Sequence, residues 1–392
     1  MLFYIITFVL GFWLDSNNIR KVFSSKMIST FRNIYLLWLY IFLCFGYMTG
    51  SDWRSYELEY NSNTDIGNST ELASRFIFNN CPLIISDFWV FFGLFKCLYL
   101  FSVQRVVKKI SSKWLSVLSM LLPGSLMFML IDNPFRYMLA LIVINFAVIF
   151  LLEKKYLLYF VIGIISIFFH STALIPLLLF FLINILPNRI FDIKSSILVP
   201  FYILFTLLMS SLSNVSFFQE YIYSIFLDFG FKDYSVYTAE DNSSFFTIGN
   251  LLTLFTGIIL ILSRTEIKYS FKYGSIVVKM ILFSVFFQKL CLMIPTGFRM
   301  NIPFSVFTAT GLVFLMYHGI SSLKIKHNIA FLLIFLLTLI PMMRNIYYSY
   351  VYIPYSNSIP YIFSKHKFYG ERINYNINAF TERTGESIYN KE

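Results

Sequence analysis

Charge is what this chain has least of. Asp, Glu, Lys and Arg make up 13% of its 392 residues, where a soluble globular domain carries about 25%. That shortage excludes a water-soluble enzyme of this length. Cysteine is scarce too. Cys44, Cys81, Cys97 and Cys291 lie scattered with no CxxC pair, so they read as core residues and not as a disulfide framework or a thiolate metal site. The four histidines, His170, His318, His327 and His366, are too dispersed for metal-ligand spacing. No GxGxxG, P-loop, HExxH or GxSxG is present, and no cofactor is called for. Any chemistry then falls on a substrate that is already activated.

Apolar residues are what fill the chain: 58% are hydrophobic, 20% aromatic, and the mean hydropathy is +0.70. Lipid offers the backbone no hydrogen-bond partners, so long apolar runs become helices. The expected fold is all-α: a polytopic integral membrane protein with about twelve transmembrane helices and short amphipathic helices in the outer loops. The spans fall near 2–14, 34–49, 86–104, 114–131, 134–152, 156–170, 172–186, 195–212, 247–263, 274–295, 301–317 and 328–343. The first has neither a basic n-region nor an A-x-A site and reads as a retained helix. No repeat or linker divides the chain, so residues 1–392 read as a single membrane domain.

The net charge of +11 does not point to nucleic acid, because the cations sit in short loops between apolar runs. With the N-terminus outside, the inner loops collect Arg20, Lys21, Lys26 and Arg32; Arg105, Lys108, Lys109 and Lys113; Lys154 and Lys155; Arg189 and Lys194; Arg264, Lys268 and Lys272; Lys324 and Lys326. The outer loop 213–246 is acidic. Another long outer segment, 50–85, contains Glu71-Leu-Ala-Ser-Arg75-Phe-Ile-Phe, the pattern of a short amphipathic helix on the membrane surface. The tail 345–392 begins rich in tyrosine, as in an interfacial belt.

The stretch Asp132–Leu174 organises the rest. It reads as two spans joined by the tight turn Glu153-Lys154-Lys155. Pro134 is expected just inside the first helix, with Asp132 or Asn133 as its cap. The chain leaves one face at Arg136 and returns to it at His170.

Asp52, Arg54, Arg75, Arg136, His170, Arg299 and Arg344 are the outer polar residues that charge statistics leave unexplained. An outer arginine calls for an anion, and its planar guanidinium matches phosphate bidentately. Asp52 follows the turn-forming pair Gly50-Ser51, and either Asp52 or His170 suits a general base toward a hydroxyl. Plainer readings stand beside these. Arg54 and Arg75 can be solvated loop residues, Arg136 can snorkel to headgroups, and His170 can bond a backbone carbonyl. Among intramembrane lysines, Lys96 reads as snorkelling and stays out of the site, while Lys289, beside Gln288, reads as lining a cavity.

The order of these residues carries a resemblance. Gly50-Ser51-Asp52-Trp53 with Tyr56, then Arg136 opening a helix, then Phe168-Phe169-His170-Ser171-Thr172-Ala173-Leu174, then Arg299 opening a late helix, and Ile-Pro-Tyr at 353–355, is similar to the EpsG/Wzy family of polysaccharide polymerases over about residues 1–355. The chain departs from the family pattern in three places. Tyr47, Met48 and Thr49 fill a stretch where an arginine is usual, Ser51 replaces threonine, and Tyr137 follows Arg136 where a polar residue is usual. The resemblance implies a metal-independent glycosyltransferase of the bacterial inner membrane. It would join undecaprenyl-diphosphate-linked oligosaccharides on the periplasmic face into capsule, exopolysaccharide or O-antigen, with a chain-length regulator as a possible partner. It also implies catalytic roles for Asp52, Arg136, His170 and Arg299, with Trp53 and Tyr56 as substrate contacts, to which the residue reading adds Arg54 and Lys289. Two other classes remain open. A flippase of lipid-linked sugar would show broken helices in matching halves, which are absent from the sequence. An O-acyltransferase would need an acyl route from the inner side, away from His170.

Overall fold

The structure, a computed structural model, describes residues 2–17, 19–50, 53–62, 71–132, 134–212, 247–291, 297–348, 355–366 and 369–384. Asp52, Asn133, the acidic loop 213–246 and residues 351–354 lie outside the described residues. In chain order the helices are α1 (Leu2–Asp15), α2 (Ser25–Leu39, continued by a wider π-turn, Tyr40–Cys44), α3 (Trp53–Ser62), α4 (Leu72–Asn80), α5 (Phe88–Ile110), α6 (Trp114–Leu121, followed by π-turns ending at Asp132), α7 (Phe135–Leu152), α8 (Tyr156–Phe169), α9 (Leu174–Ile185), α10 (Ser195–Leu212), α11 (Ile248–Leu262), α12 (Arg264–Ser270), α13 (Gly274–Leu290), α14 (Ser305–His318), α15 (His327–Tyr348), α16 (Ser358–Phe363) and α17 (Tyr369–Thr384). Strand pairing among the described residues is confined to isolated bridges, Gly46 with Asn357 and Ile320 with Ile325.

This is a multi-pass membrane protein. Among the described residues six stretches are long and apolar enough to cross a bilayer: Ser25–Cys44, Phe88–Ile110, Phe135–Leu152, Ser195–Leu212, Phe298–His318 and His327–Arg344. Ile248–Leu262 with Arg264–Ser270, bent by 59°, makes a seventh if the pair is one span. The apolar runs expected at 2–14, 114–131, 156–170 and 172–186 form shorter helices. The 14 residues of α8 rise only about 21 Å at ~1.5 Å per residue.

Local chemistry sets the helix ends that matter. α5 is capped by Asp87, whose Oδ1 accepts the N–H groups of Trp89 (2.8 Å) and Val90 (3.1 Å). It closes on Lys108 and Lys109, cations at the negative end of the helix dipole. α7 has no glycine or proline inside. Pro134 is not within the helix, as the sequence suggested, but is the flanking residue, at φ −71° and ψ 75°, with no side-chain cap. A proline there still fits, because its missing N–H would have had no helical partner. At the other end Lys154 takes a left-handed φ of +60°, and this reverses the chain into α8 within the expected tight turn.

The buried core runs from Tyr4 to Ile346. α7 packs chiefly on α8 and α5, with Phe135, Tyr137, Met138 and Ile144 buried. Lys96 does not snorkel. It sits mid-way along the 23 residues of α5, fully buried, its ammonium 4.2 Å from the centre of the Phe92 ring and with no hydrogen-bond partner among the described residues.

Candidate functional site

Arg136 lies in the first turn of α7. Its Nη1 donates to Glu71 Oε2 at 3.0 Å, and both side chains are largely buried. Glu71 is the residue that precedes α4, and its carboxylate makes no cap bond to that helix. α4 is the amphipathic helix expected from Glu71-Leu-Ala-Ser, with Leu72 and Phe76 exposed and Ser74 and Phe78 buried. Ser74 Oγ donates to the Phe169 carbonyl at 3.0 Å. So α4 bridges the start of α7, at Arg136, and the end of α8, one residue before His170.

His170 closes α8 with extended backbone and opens the short turn Ser171–Ala173. Its Nδ1 accepts the Thr172 N–H at 3.3 Å and lies 2.8 Å from Thr172 Oγ1. A neutral imidazole that accepts at Nδ1 carries its proton on Nε2.

Tyr137 joins the remaining pieces. Its ring meets the His170 ring edge-on at 5.4 Å. Its hydroxyl donates to the Arg299 carbonyl at 2.8 Å. Arg299 sits on the helical turn Phe298–Asn301. Its guanidinium carbon lies 5.6 Å from the centre of the Phe128 ring, and its Nε is buried with no hydrogen-bond partner among the described residues. Buried donors are nearly always paired, so this one has capacity left for an acceptor. Phe128 and Phe298 pack edge-to-face at 4.8 Å and line, with Gln288 and Asn301, a cavity of about 370 Å³.

The turn that leads into Asp52 abuts the same place. Gly50 has φ +87°, and a Cβ there would lie 2.4 Å from the Asp132 carbonyl oxygen and 2.5 Å from that of Ile131. Only glycine fits, on both counts. Gly50 therefore packs on the backbone just before α7. Beyond it, Tyr56 is buried on α3, its ring near Phe135 at 5.7 Å, and its hydroxyl acts on Arg136. Trp53 is buried against Trp89, ring centres 5.5 Å apart, while Arg54 is exposed.

Lys289 is placed apart from this cluster. It is buried near the end of α13, and its Nζ donates to Thr253 Oγ1 on α11 at 2.6 Å. The residue lining the cavity is its neighbour Gln288.

Sequence reasoning missed the C-terminal segment. It expected a tyrosine-rich interfacial tail, but Ser356, Asn357, His366 and Tyr369 bond back to Tyr47, Ile41, Asp87 and Glu57. Tyr47 N–H donates to the Ser356 carbonyl at 2.9 Å. His366 lies between the Tyr47 hydroxyl (Nδ1, 3.0 Å) and Asp87 Oδ2 (Nε2, 2.8 Å). Glu57 on α3 accepts Trp89 Nε1–H at 2.9 Å and the Tyr369 hydroxyl. Burial pushes the Glu57 carboxyl above its ordinary value, against the opposing pull of those two donors. These bonds tie α3 to α5 and to the C-terminal segment.

With this geometry in view, the family model for the EpsG family matches residues 29–363. The chain belongs to the EpsG family. It is therefore a membrane protein of the polysaccharide-polymerase type. The matched span takes in every site residue discussed above and the docked segment as far as Phe363. No curated protein and no solved structure matches the chain.

Proposed function

We propose that this EpsG-family protein polymerises undecaprenyl-diphosphate-linked oligosaccharide repeat units on the periplasmic face of the bacterial inner membrane. In this reading the chain makes about twelve passes as one membrane domain, with the N-terminus outside. The observation that supports it best is the gathering of Arg136, His170 and Arg299 around Tyr137, with an unpartnered buried donor on Arg299. A hydroxyl of the incoming unit attacks the anomeric carbon of the growing chain. The bond from that carbon to the lipid diphosphate breaks, and the diphosphate oxygen takes the electron pair. Arg136 and Arg299 stabilise the charge that develops there. His170, with its proton on Nε2, serves as a hydrogen-bond donor. The attacking hydroxyl's proton then passes to Asp52, which follows the Gly50 turn. Glu71 holds the Arg136 guanidinium in place before the diphosphate arrives. Trp53, Arg54 and Tyr56 lie along the same helix, α3, and suit the sugar-facing side. Lys289 is left with a packing role.

Deleting the gene and sizing the surface glycan tests the reading. Single repeat units accumulating on lipid are the expected result. Absence of exported glycan would identify a flippase instead, and full-length polymer lacking acetyl groups an acyltransferase.

A further inference from the structure

The 18 residues of α7 carry the chain about 27 Å, at ~1.5 Å per residue, from Arg136 to a second concentration of charge. There Lys109 at the end of α5, Lys154 and Lys155 in the turn after α7, and Lys272 before α13 line one cavity of about 720 Å³. The single acid on its wall is Glu153, so the lining carries three more positive charges than negative.

Two of the lysines are already engaged. Lys109 Nζ lies 2.5 Å from Glu153 Oε1, and Lys155 Nζ lies 2.8 Å from Glu153 Oε2. These bonds hold the Glu153 carboxyl down at about 2, so it stays ionised. The other two are not tied to a carboxylate. Lys272 lies over the Tyr273 ring at 5.3 Å, and the Lys154 ammonium has no bond to a carboxylate among the described residues, its backbone N–H donating to the Leu151 carbonyl at 2.9 Å. Lys154 is also held in the left-handed region, which costs a lysine about 1 kcal/mol that glycine would not incur. Leu152 and Ile276 complete the wall, giving an apolar side next to a cationic one. Positive charge is common at this membrane face, but the neighbouring cations Arg264, Lys268 and Lys279 are each bonded to Asp192, Ser195 or a backbone carbonyl. Here it converges from three separate helix ends onto one concavity.

We propose that this cavity is a binding site for a phosphate-bearing anion, on the membrane face opposite the candidate site. Its ligand is either the headgroup of an anionic lipid, with acyl chains along Leu152 and Ile276, or a soluble phosphate compound. The site is independent of the polymerase reading, and its test needs no polymer.

Purified full-length protein in non-ionic detergent is melted with phosphatidylglycerol, with phosphatidylcholine of the same chains, and with inorganic pyrophosphate. Phosphatidylglycerol or pyrophosphate should raise the midpoint, and phosphatidylcholine should not. Protection by phosphatidylglycerol alone assigns a lipid headgroup, and protection by pyrophosphate as well assigns a soluble phosphate ligand. Lys154→Asn tolerates the left-handed turn, and Lys272→Gln lies on the cavity rim. Each should weaken apparent affinity roughly fivefold, and Lys272→Arg should restore it. Glu153→Gln, which releases Lys109 and Lys155, should tighten binding. Equal protection by the two lipids, or a wild-type response from the double variant, would overturn the assignment.

Discussion

The two ends of α7 are both cationic, and they hold their charge differently. At one end a single guanidinium leaves a fixed helical turn, bonds Glu71 and is 25% exposed. At the other, ammonium groups ring an open cavity, and Lys155 is 55% exposed. Charge at the first end is placed, because the neighbouring Tyr137 and the α4 bridge leave few alternatives for the side chain. Charge at the second end is pooled, because no single lysine has a fixed partner other than Glu153. A placed charge can stabilise one oxygen at one stage of a reaction. A pooled charge can attract an anion and adapt to its shape, but water and salt screen it.

Substitutions at each end can break or sharpen that contrast. The largest effect is expected from Arg136→Ala. Removing one preorganised stabiliser of developing charge costs about 100- to 1,000-fold in rate, read as polymer formed from lipid-linked repeat units at matched protein levels. An activity within a few-fold of wild type would reduce Arg136 to a headgroup contact. Tyr137→Phe comes next. It keeps the ring beside His170 but loses the bond to the Arg299 carbonyl, worth about 1 kcal/mol, or roughly a fivefold fall in the same assay. An unchanged rate would mean that Arg299 is positioned without Tyr137. The smallest effect belongs to the other end. Lys154→Gly relieves the left-handed turn and should raise the thermal midpoint slightly, by about 1 kcal/mol of stability. A lower midpoint would show that Lys154 supports the turn by contacts of its side chain.

Much of this arrangement is legible in local sequence. α7 was expected at 134–152 and is Phe135–Leu152, because an uninterrupted apolar run between a proline and a charged turn leaves little choice. The return of His170 to the face of Arg136 follows from the lengths of two helices. Gly50 marked a turn, and its positive φ and close approach to Asp132 explain why glycine is there. α2 begins nine residues before the run expected at 34–49, because Lys26 and Arg32 lie within the helix, and Arg32 reaches Asp15 at 2.8 Å. Hydropathy alone cannot see a paired charge as helical. The docked C-terminal segment was illegible for a different reason. His366 meets Tyr47 and Asp87 across some 300 residues of chain, and no periodicity or spacing records so distant a contact. The bond from Lys289 to Thr253 was not legible either, because a lysine in an apolar run carries no record of its partner.

Arg136→Lys puts the central claim to its most direct test, since it keeps the charge at the start of α7 and removes only the planar, two-pronged donor. Polymerisation by purified protein from lipid-linked repeat units should fall well below wild type in this variant, with folding intact by thermal melting, because an ammonium cannot grip a diphosphate bidentately. Wild-type turnover from Arg136→Lys would show that charge alone suffices there, and would contradict the account of Arg136 as a shaped diphosphate contact.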